Sequence, residues 1–238
     1  MTTPTKKEIV ELDKSVEESL IALAKENDIA HDPIMDGVVD VDKYLDAPLR
    51  ILWILKEPWE KLEDGVPGGD WRLTDFLQDP LVKPHKTHEI MAYVSYAILA
   101  GFPNEQSIPY VDQSRDVASI LANVAVINVS KFPGETSSRA NLISDAYSLF
   151  REVLLRQLST LGPDVVIGGS TLSLFFPDLG LQATDFKQVG TCSSCVNGGR
   201  LYIDAYHPNQ RSISRAAYVD DIVAQVKNAF PEGKRQIP

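Results

Sequence analysis

Four short apolar runs constrain the fold of this chain more than any other feature of its sequence. Each run is continuously apolar rather than alternating, which is typical of strands buried on both faces of a parallel sheet. The runs cover residues 50–55, 123–129, 163–169 and 200–206. Helix-like segments separate them, so the sequence predicts an α/β fold: a three-layer α/β/α domain around a central four-stranded parallel sheet.

Amphipathic segments supply the helices of the outer layers. The predicted helices cover residues 6–27, 87–102, 116–123, 139–162 and 212–230. The first places Ile9, Leu12 and Val16 on one face between charged residues. We expect residues 1–47 to form an acidic helical extension packed on a domain of residues 48–238.

Charge and composition limit the partners and the compartment. The net charge is −10, but residues 1–70 hold 8 basic and 17 acidic residues, a net of −9. The remainder is nearly neutral, so any affinity for DNA should be modest and local. No apolar run is long enough for a membrane span, and the N-terminus lacks the pattern of a signal peptide. Two cysteines suit a reducing cytoplasm, the expected location.

Polar, glycine or proline residues follow every predicted strand. The segments read KEPW (56–59), NVSKFPG (128–134), GGST (168–171) and HPNQRS (207–212). Ligands of open α/β sheets bind at the carboxyl ends of the strands. The four segments therefore predict one shared site.

These four segments, in this order, resemble the motifs of the uracil-DNA glycosylase superfamily. Lys56-Glu57-Pro58-Trp59 is similar to a motif such as G-Q-D-P-Y, with Lys56 where the best-known branch has glutamine. Asn128 ends the next strand, and His207-Pro208-Asn209 is similar to H-P-S. The resemblance covers about residues 48–230. It implies a hydrolase that removes uracil or another deaminated or damaged base from DNA.

The resemblance assigns catalytic roles to Glu57 and His207. Glu57 would stabilise the cationic sugar and orient water, and His207 would hydrogen-bond the departing base. The sequence also allows plainer interpretations: a glutamate paired with Lys56 or Lys61, and a histidine on a surface loop. Asn128 would read a base edge through its amide, or would only cap a strand end.

Three aromatic residues are candidates for contact with the base. Trp59 lies where the family places a residue near C5 of the base, and a bulky ring there would exclude a methyl group. A stacking aromatic residue is expected soon afterwards. Trp71 and Phe76 both qualify, and the sequence does not choose between them.

Phosphate contacts are expected from backbone N–H groups of residues 168–170, which include Gly169 and Ser170. Ser212 and Lys131 are further candidates, as is Arg139. Arg211 lies where the family often places a residue that fills the gap left by a flipped base. Arg211 and Arg215 fit equally well as solvated residues at a helix start.

No metal or other cofactor is expected. Cys192 and Cys195 form a lone C-x-x-C that suits a hairpin better than a zinc site, and two cysteines are too few for the family's four-cysteine iron–sulfur cluster. His85 and His88 have no nearby carboxylate or cysteine partner in sequence, so solvent or packing is their expected environment.

Two other interpretations remain open. The first is a catalytically inactive relative that binds nucleic acid, nucleotides or protein, which the acidic N-terminal part favours. The second is a nucleotide- or sugar-phosphate-handling enzyme of another lineage, although the chain has no Walker loop and no G-x-G-x-x-G after its first strand. The oligomeric state and the excised base are not determined by the sequence.

Overall fold

The computed structural model describes residues 3–61, 63, 66–78, 85–134 and 140–234. Its strands are β1 Gly37–Val38, β2 Ile51–Leu55, β3 Ala125–Asn128, β4 Val165–Gly169, β5 Lys187–Val189, β6 Cys192–Asn197 and β7 Arg200–Ala205. Its α-helices are α1 Lys6–Glu26, α2 Val41–Asp46, α3 Leu73–Gln78, α4 Lys86–Leu99, α5 Arg115–Ala118, α6 Ala140–Leu161, α7 Phe176–Leu179 and α8 Arg215–Ala229.

All strands form one mixed sheet of order β1-β3-β2-β4-β7-β6-β5. The central strands β3, β2, β4 and β7 are mutually parallel, as their continuous apolar runs predict. The predicted strand number of four is wrong, because β1 pairs antiparallel with β3 and the β5–β6 hairpin pairs antiparallel with β7. The added strands are short or polar, so they carry no apolar run.

Side chains of the central strands alternate between two separate hydrophobic cores. In β2, Ile51, Trp53 and Leu55 enter the core that contains α4 and α8. Leu52 and Ile54 enter the core that contains α1 and α6. All five residues are at most 4% exposed. The strand is therefore covered by helices on both faces, which explains why its sequence shows no alternation.

The N-terminal segment contributes to the sheet as well as to a helical layer. Thr5 caps α1 in a capping box with Glu8, and the apolar face of the helix is buried with residues of α6. Strand β1 then pairs with β3, and Asp36 just before it is 3% exposed. The first 47 residues therefore supply part of the buried structure next to β3.

The C-x-x-C sequence lies on β6 of the hairpin, as expected. Cys192 and Cys195 are both buried and free, and they belong to different cores. Burial raises the pKa of the Cys192 thiol to about 12, so this thiol is protonated at neutral pH. Within the described ranges no helix combines the length and apolarity needed to cross a bilayer.

Candidate functional site

The carboxyl ends of β2, β3 and β7 open into a single cavity of about 580 Å³. It also receives residues from the segment after β2 and from the start of α4. The described lining residues are Leu55, Lys56, Glu57, Pro58, Trp59, Glu60, Lys61, Trp71, Leu73, Phe76, His85, Lys86, Thr87, His88, Asn128, His207 and Asn209. The cavity thus collects Glu57, Asn128 and His207, which the sequence placed after three different strands.

Glu57 lies against the backbone of the loop that follows β3. The N–H of Gly134 donates to the carbonyl of Pro58 at 2.9 Å, which joins this loop to the segment after β2. A Cβ at position 134 would lie only 2.3 Å from Cδ of Glu57. Glycine at this position therefore leaves the space that the carboxylate occupies.

Hydrogen bonds fix both the backbone and the ring of His207. Its backbone N–H donates to Oγ of Ser170 at 3.0 Å, and its Nδ1 accepts from the backbone N–H of Asn209 at 3.2 Å. Because Nδ1 accepts, the neutral ring carries its proton on Nε2. Burial, together with the charge of Lys56, lowers the pKa of His207 to about 4. The imidazole is therefore neutral at pH 7, and Nε2 is its donor nitrogen.

Gly169 allows the His207 loop to approach β2. A Cβ at this glycine would lie 3.0 Å from Cδ2 of Leu55 and 3.2 Å from Cδ of Pro208. Both distances are shorter than an ordinary carbon–carbon contact of about 3.5–4.0 Å. The small residue at the end of β4 thus brings the histidine motif close to the end of β2.

A buried polar network binds the backbone of Asn128. Its backbone N–H donates to Oδ2 of Asp36 at 2.7 Å. Asp36 also accepts from Lys131 and from Nε2 of Gln157. The side chain of Asn128 is 2% exposed, and its Nδ2 has no hydrogen-bond partner among the described residues. An unsatisfied buried donor costs about 1–3 kcal/mol, a cost that a ligand acceptor in the cavity would remove.

Aromatic rings form one wall of the cavity. Phe76 stacks on His85 with ring centroids 6.0 Å apart and contacts His88 at 5.4 Å. Trp59 meets His85 edge-on at 5.6 Å. The indole N–H of Trp71 donates to Glu60 at 3.1 Å, which orients that ring. Trp71 and Phe76 therefore both contribute to the wall, whereas Trp59 is 52% exposed and lies at its rim.

His85 and His88 pack against Phe76, in line with the packing alternative, and both rings also line the cavity. Burial, with smaller contributions from His85 and His207, lowers the pKa of His88 to about 4. Its Nδ1 is buried without a partner in the described part of the chain. In the sequence, only the H-K-T-H spacing at a helix start pointed to these histidines as site residues. Their aromatic partners come from a different segment of the chain.

Comparison of the sequence with protein-family models and with curated proteins gives no match. The interpretation of the cavity therefore depends on the chemistry of the residues that line it. No group of three or more metal-binding side chains occurs among the residues that the structure describes.

Two of the predicted phosphate contacts are wrong. Lys131 is 0% exposed, and its ammonium group binds Asp36 and Gln157 at 2.7–2.8 Å, far from solvent. The backbone N–H groups of residues 168–170 are also unsuitable, because Gly169 lies within β4 and the N–H of Ser170 donates to the carbonyl of Ala205 at 2.8 Å. Ser170 instead supports His207 through its hydroxyl.

Arg211 and Ser212, two further phosphate candidates, are not among the described residues that line the cavity. Arg211 and Ser212 are exposed on the loop between His207 and α8, and their contact with phosphate stays a prediction. Arg215 is not a freely solvated residue: it pairs with Glu105, and its guanidinium lies 4.4 Å from the ring centroid of Tyr93. Arg139 falls outside the described residues.

Proposed function

We propose that the protein is a DNA glycosylase that hydrolyses the N-glycosidic bond of uracil or another deaminated or damaged base. The observation that carries the proposal is the convergence of Glu57, Asn128 and His207 on one cavity with an aromatic wall. These residues are separated along the chain and follow three different strands. Their chemistry matches the three needs of the reaction: a carboxylate, a base-reading amide and a neutral hydrogen-bond donor.

Cleavage of the glycosidic bond develops positive charge on the sugar and negative charge on the base. The Glu57 carboxylate stabilises the sugar cation and orients the attacking water, because opposite charges attract strongly in a partly desolvated site. Its contact with the backbone at Gly134 keeps the carboxylate in position. Glu57 is the catalytic residue for this side of the bond.

His207 acts on the departing base. Its Nε2–H donates a hydrogen bond to a carbonyl oxygen of the ring as negative charge accumulates there. A neutral imidazole suits this task, and the low pKa of His207 keeps it neutral across the physiological range. The hydrogen bond from Asn209 to Nδ1 keeps the proton on the nitrogen that donates.

Asn128 and the aromatic wall select and hold the ring. An amide offers a donor and an acceptor side by side, and rotation about its last torsion brings the unpaired Nδ2 toward a ligand carbonyl. Trp71 and Phe76 provide apolar surface for a base removed from the helix, and stacking contributes about 1–3 kcal/mol per base. Such a wall lowers the cost of holding a flipped nucleotide.

Local charge supports an anionic ligand in spite of the net charge of −10. Lys56, Lys61 and Lys86 line the cavity beside Glu57 and Glu60. The described lining residues therefore carry a net charge of about +1. This excess fits a polyanion that touches the protein at one place.

The test is an excision assay on oligonucleotides that contain uracil, hypoxanthine or xanthine, followed by alkaline cleavage of abasic sites. We expect cleavage with at least one base, and a loss of about 100-fold or more in E57Q and H207A. Glu26→Gln, which changes an exposed glutamate at the end of α1, is the matched control and should keep full activity.

Binding without cleavage would favour the alternative, an inactive relative that binds nucleic acid, nucleotides or protein. In that case E57Q and the wild-type protein would bind the same oligonucleotides equally well, and neither would release a base. The proposal is also wrong if cleavage survives unchanged in both E57Q and H207A.

A further inference from the structure

Lys56 is a cation in the cavity that has no catalytic role in the reaction proposed above. It directly follows β2 and lines the same cavity as Glu57 and His207. The carbonyl of Lys56 accepts from the N–H of Ser130 at 2.8 Å, which fixes the point from which its side chain starts. Across the described ranges its ammonium group forms no salt bridge. Its positive charge is therefore available to a ligand.

Lys56 and His207 act on the same region of the cavity. The charge of Lys56 contributes, after burial, to the lowered pKa of His207, so the two groups are close enough to interact. One presents an ammonium group and the other a neutral Nε2–H. Neither brings negative charge, so together they would stabilise an anion beside them, although the carboxylates of Glu57 and Glu60 line the same cavity.

We propose that Lys56 is a further catalytic residue that stabilises, together with His207, the anion of the departing ring. The catalytic part of this inference rests on the proposed glycosylase function. It also has a consequence for binding alone: the cavity should hold the ionised form of an acidic oxo-pyrimidine more tightly than its neutral form.

The reaction balances with water as the only co-reactant. The bond between C1′ and the ring nitrogen breaks, and its electron pair leaves with the base. The oxygen of water forms the new bond to C1′ and loses a proton, and the base anion takes up a proton after departure. Lys56 takes no part in these proton transfers and contributes its charge and a hydrogen bond.

The test measures binding of free 5-fluorouracil by calorimetry at about pH 7.5 and about pH 9. This base loses a ring proton in mildly alkaline solution, whereas an ordinary lysine stays protonated to about pH 10. His88 and His207 are neutral at both values because their pKa values are about 4. A change in affinity then reports the charge of the ligand.

We expect the wild-type protein to bind the anion about tenfold or more tightly than the neutral base, since a hydrogen bond to a charged group contributes about that factor. The preference should vanish in K56Q and persist in K56R. Lys25→Gln, an exposed lysine in the last turn of α1, is the matched control and should keep it. Absence of the preference in the wild-type protein overturns the inference, whether or not K56Q folds.

The two proposals fail separately. A Lys56-dependent preference for the anion without any excision from DNA would refute the glycosylase function and leave the anion site standing. Excision that loses less than about threefold in K56Q, together with no preference for the anion, would refute the role of Lys56 and leave the enzyme standing.

Discussion

From the contact between Gly134 and Glu57 we predict that the substitution Gly134→Ala lowers the excision rate without lowering the stability of the fold. In Gly134→Ala the added methyl carbon would lie 2.3 Å from Cδ and 2.4 Å from Cγ of Glu57. Carbon atoms need about 3.5–4.0 Å, so the carboxylate must move by about 1 Å or more. A displacement of that size costs about 100-fold in rate when the group must be positioned for reaction.

The same substitution should not weaken the fold. The conflict involves the flexible end of a side chain, and Gly134 does not have a positive φ. Alanine also restricts the unfolded chain, which stabilises a protein by about 0.4–1 kcal/mol where the backbone is compatible. We therefore expect a melting temperature equal to or above that of the wild-type protein, together with the large loss of excision rate.

A double-mutant cycle measures whether the loss acts through Glu57. Single-turnover excision is compared in the wild-type protein, G134A, E57A and the double variant. E57A removes Cγ, Cδ and the carboxylate that the methyl would meet, so G134A should cost less than about threefold of the residual rate in that background. An equal cost in both backgrounds, or full activity of G134A, would refute the positioning of Glu57 by this loop.

Three further predictions concern the surroundings of the site. The variant K131M leaves the Asp36 carboxylate buried without its cation, so the free energy of unfolding in urea should fall by about 3–5 kcal/mol. Unchanged stability together with weaker DNA binding would instead support phosphate contact by Lys131. His88 and His207 have pKa values of about 4 in the folded protein, whereas the ordinary histidine pKa is 6.5. As the pH falls, the unfolded chain therefore binds protons before the folded protein does. The free energy of unfolding should fall as the pH drops from about 6.5 to about 4. His88→Phe should reduce that fall, measured by urea unfolding at about pH 7.5 and about pH 4.5, and an identical fall in both proteins would contradict the burial of this ring. Trp59→Ala removes a half-exposed ring at the rim and should weaken binding of a uracil-containing oligonucleotide by about tenfold in fluorescence anisotropy; an unchanged dissociation constant would exclude stacking at this position.

The sequence predicted the central strands and the place of the cavity because both depend on local patterns. A strand such as β2, buried on both faces, must be continuously apolar, and parallel strands place their carboxyl ends at one edge. Glu57, Asn128 and His207 therefore meet as expected. The search for apolar runs missed strands β5 and β6, because a polar hairpin at the margin of a sheet carries no such run, although the C-x-x-C segment did indicate a hairpin there.

The errors at the site have a common physical cause. Lys131 follows a strand end and would normally be solvated, but Asp36, 95 residues earlier in the chain, provides a buried partner. His88 similarly depends on Phe76 from a different helix. The environment of these side chains is set by tertiary contacts that one sequence does not reveal.

The measurement that tests the central claim most directly is the quantity of free base released from uracil-containing DNA, determined by mass spectrometry beside a count of abasic sites. We expect equal amounts of both products from the wild-type protein and neither from E57Q. Tight binding of the same DNA with no released base, in a folded protein, would contradict the claim that this cavity cleaves a glycosidic bond.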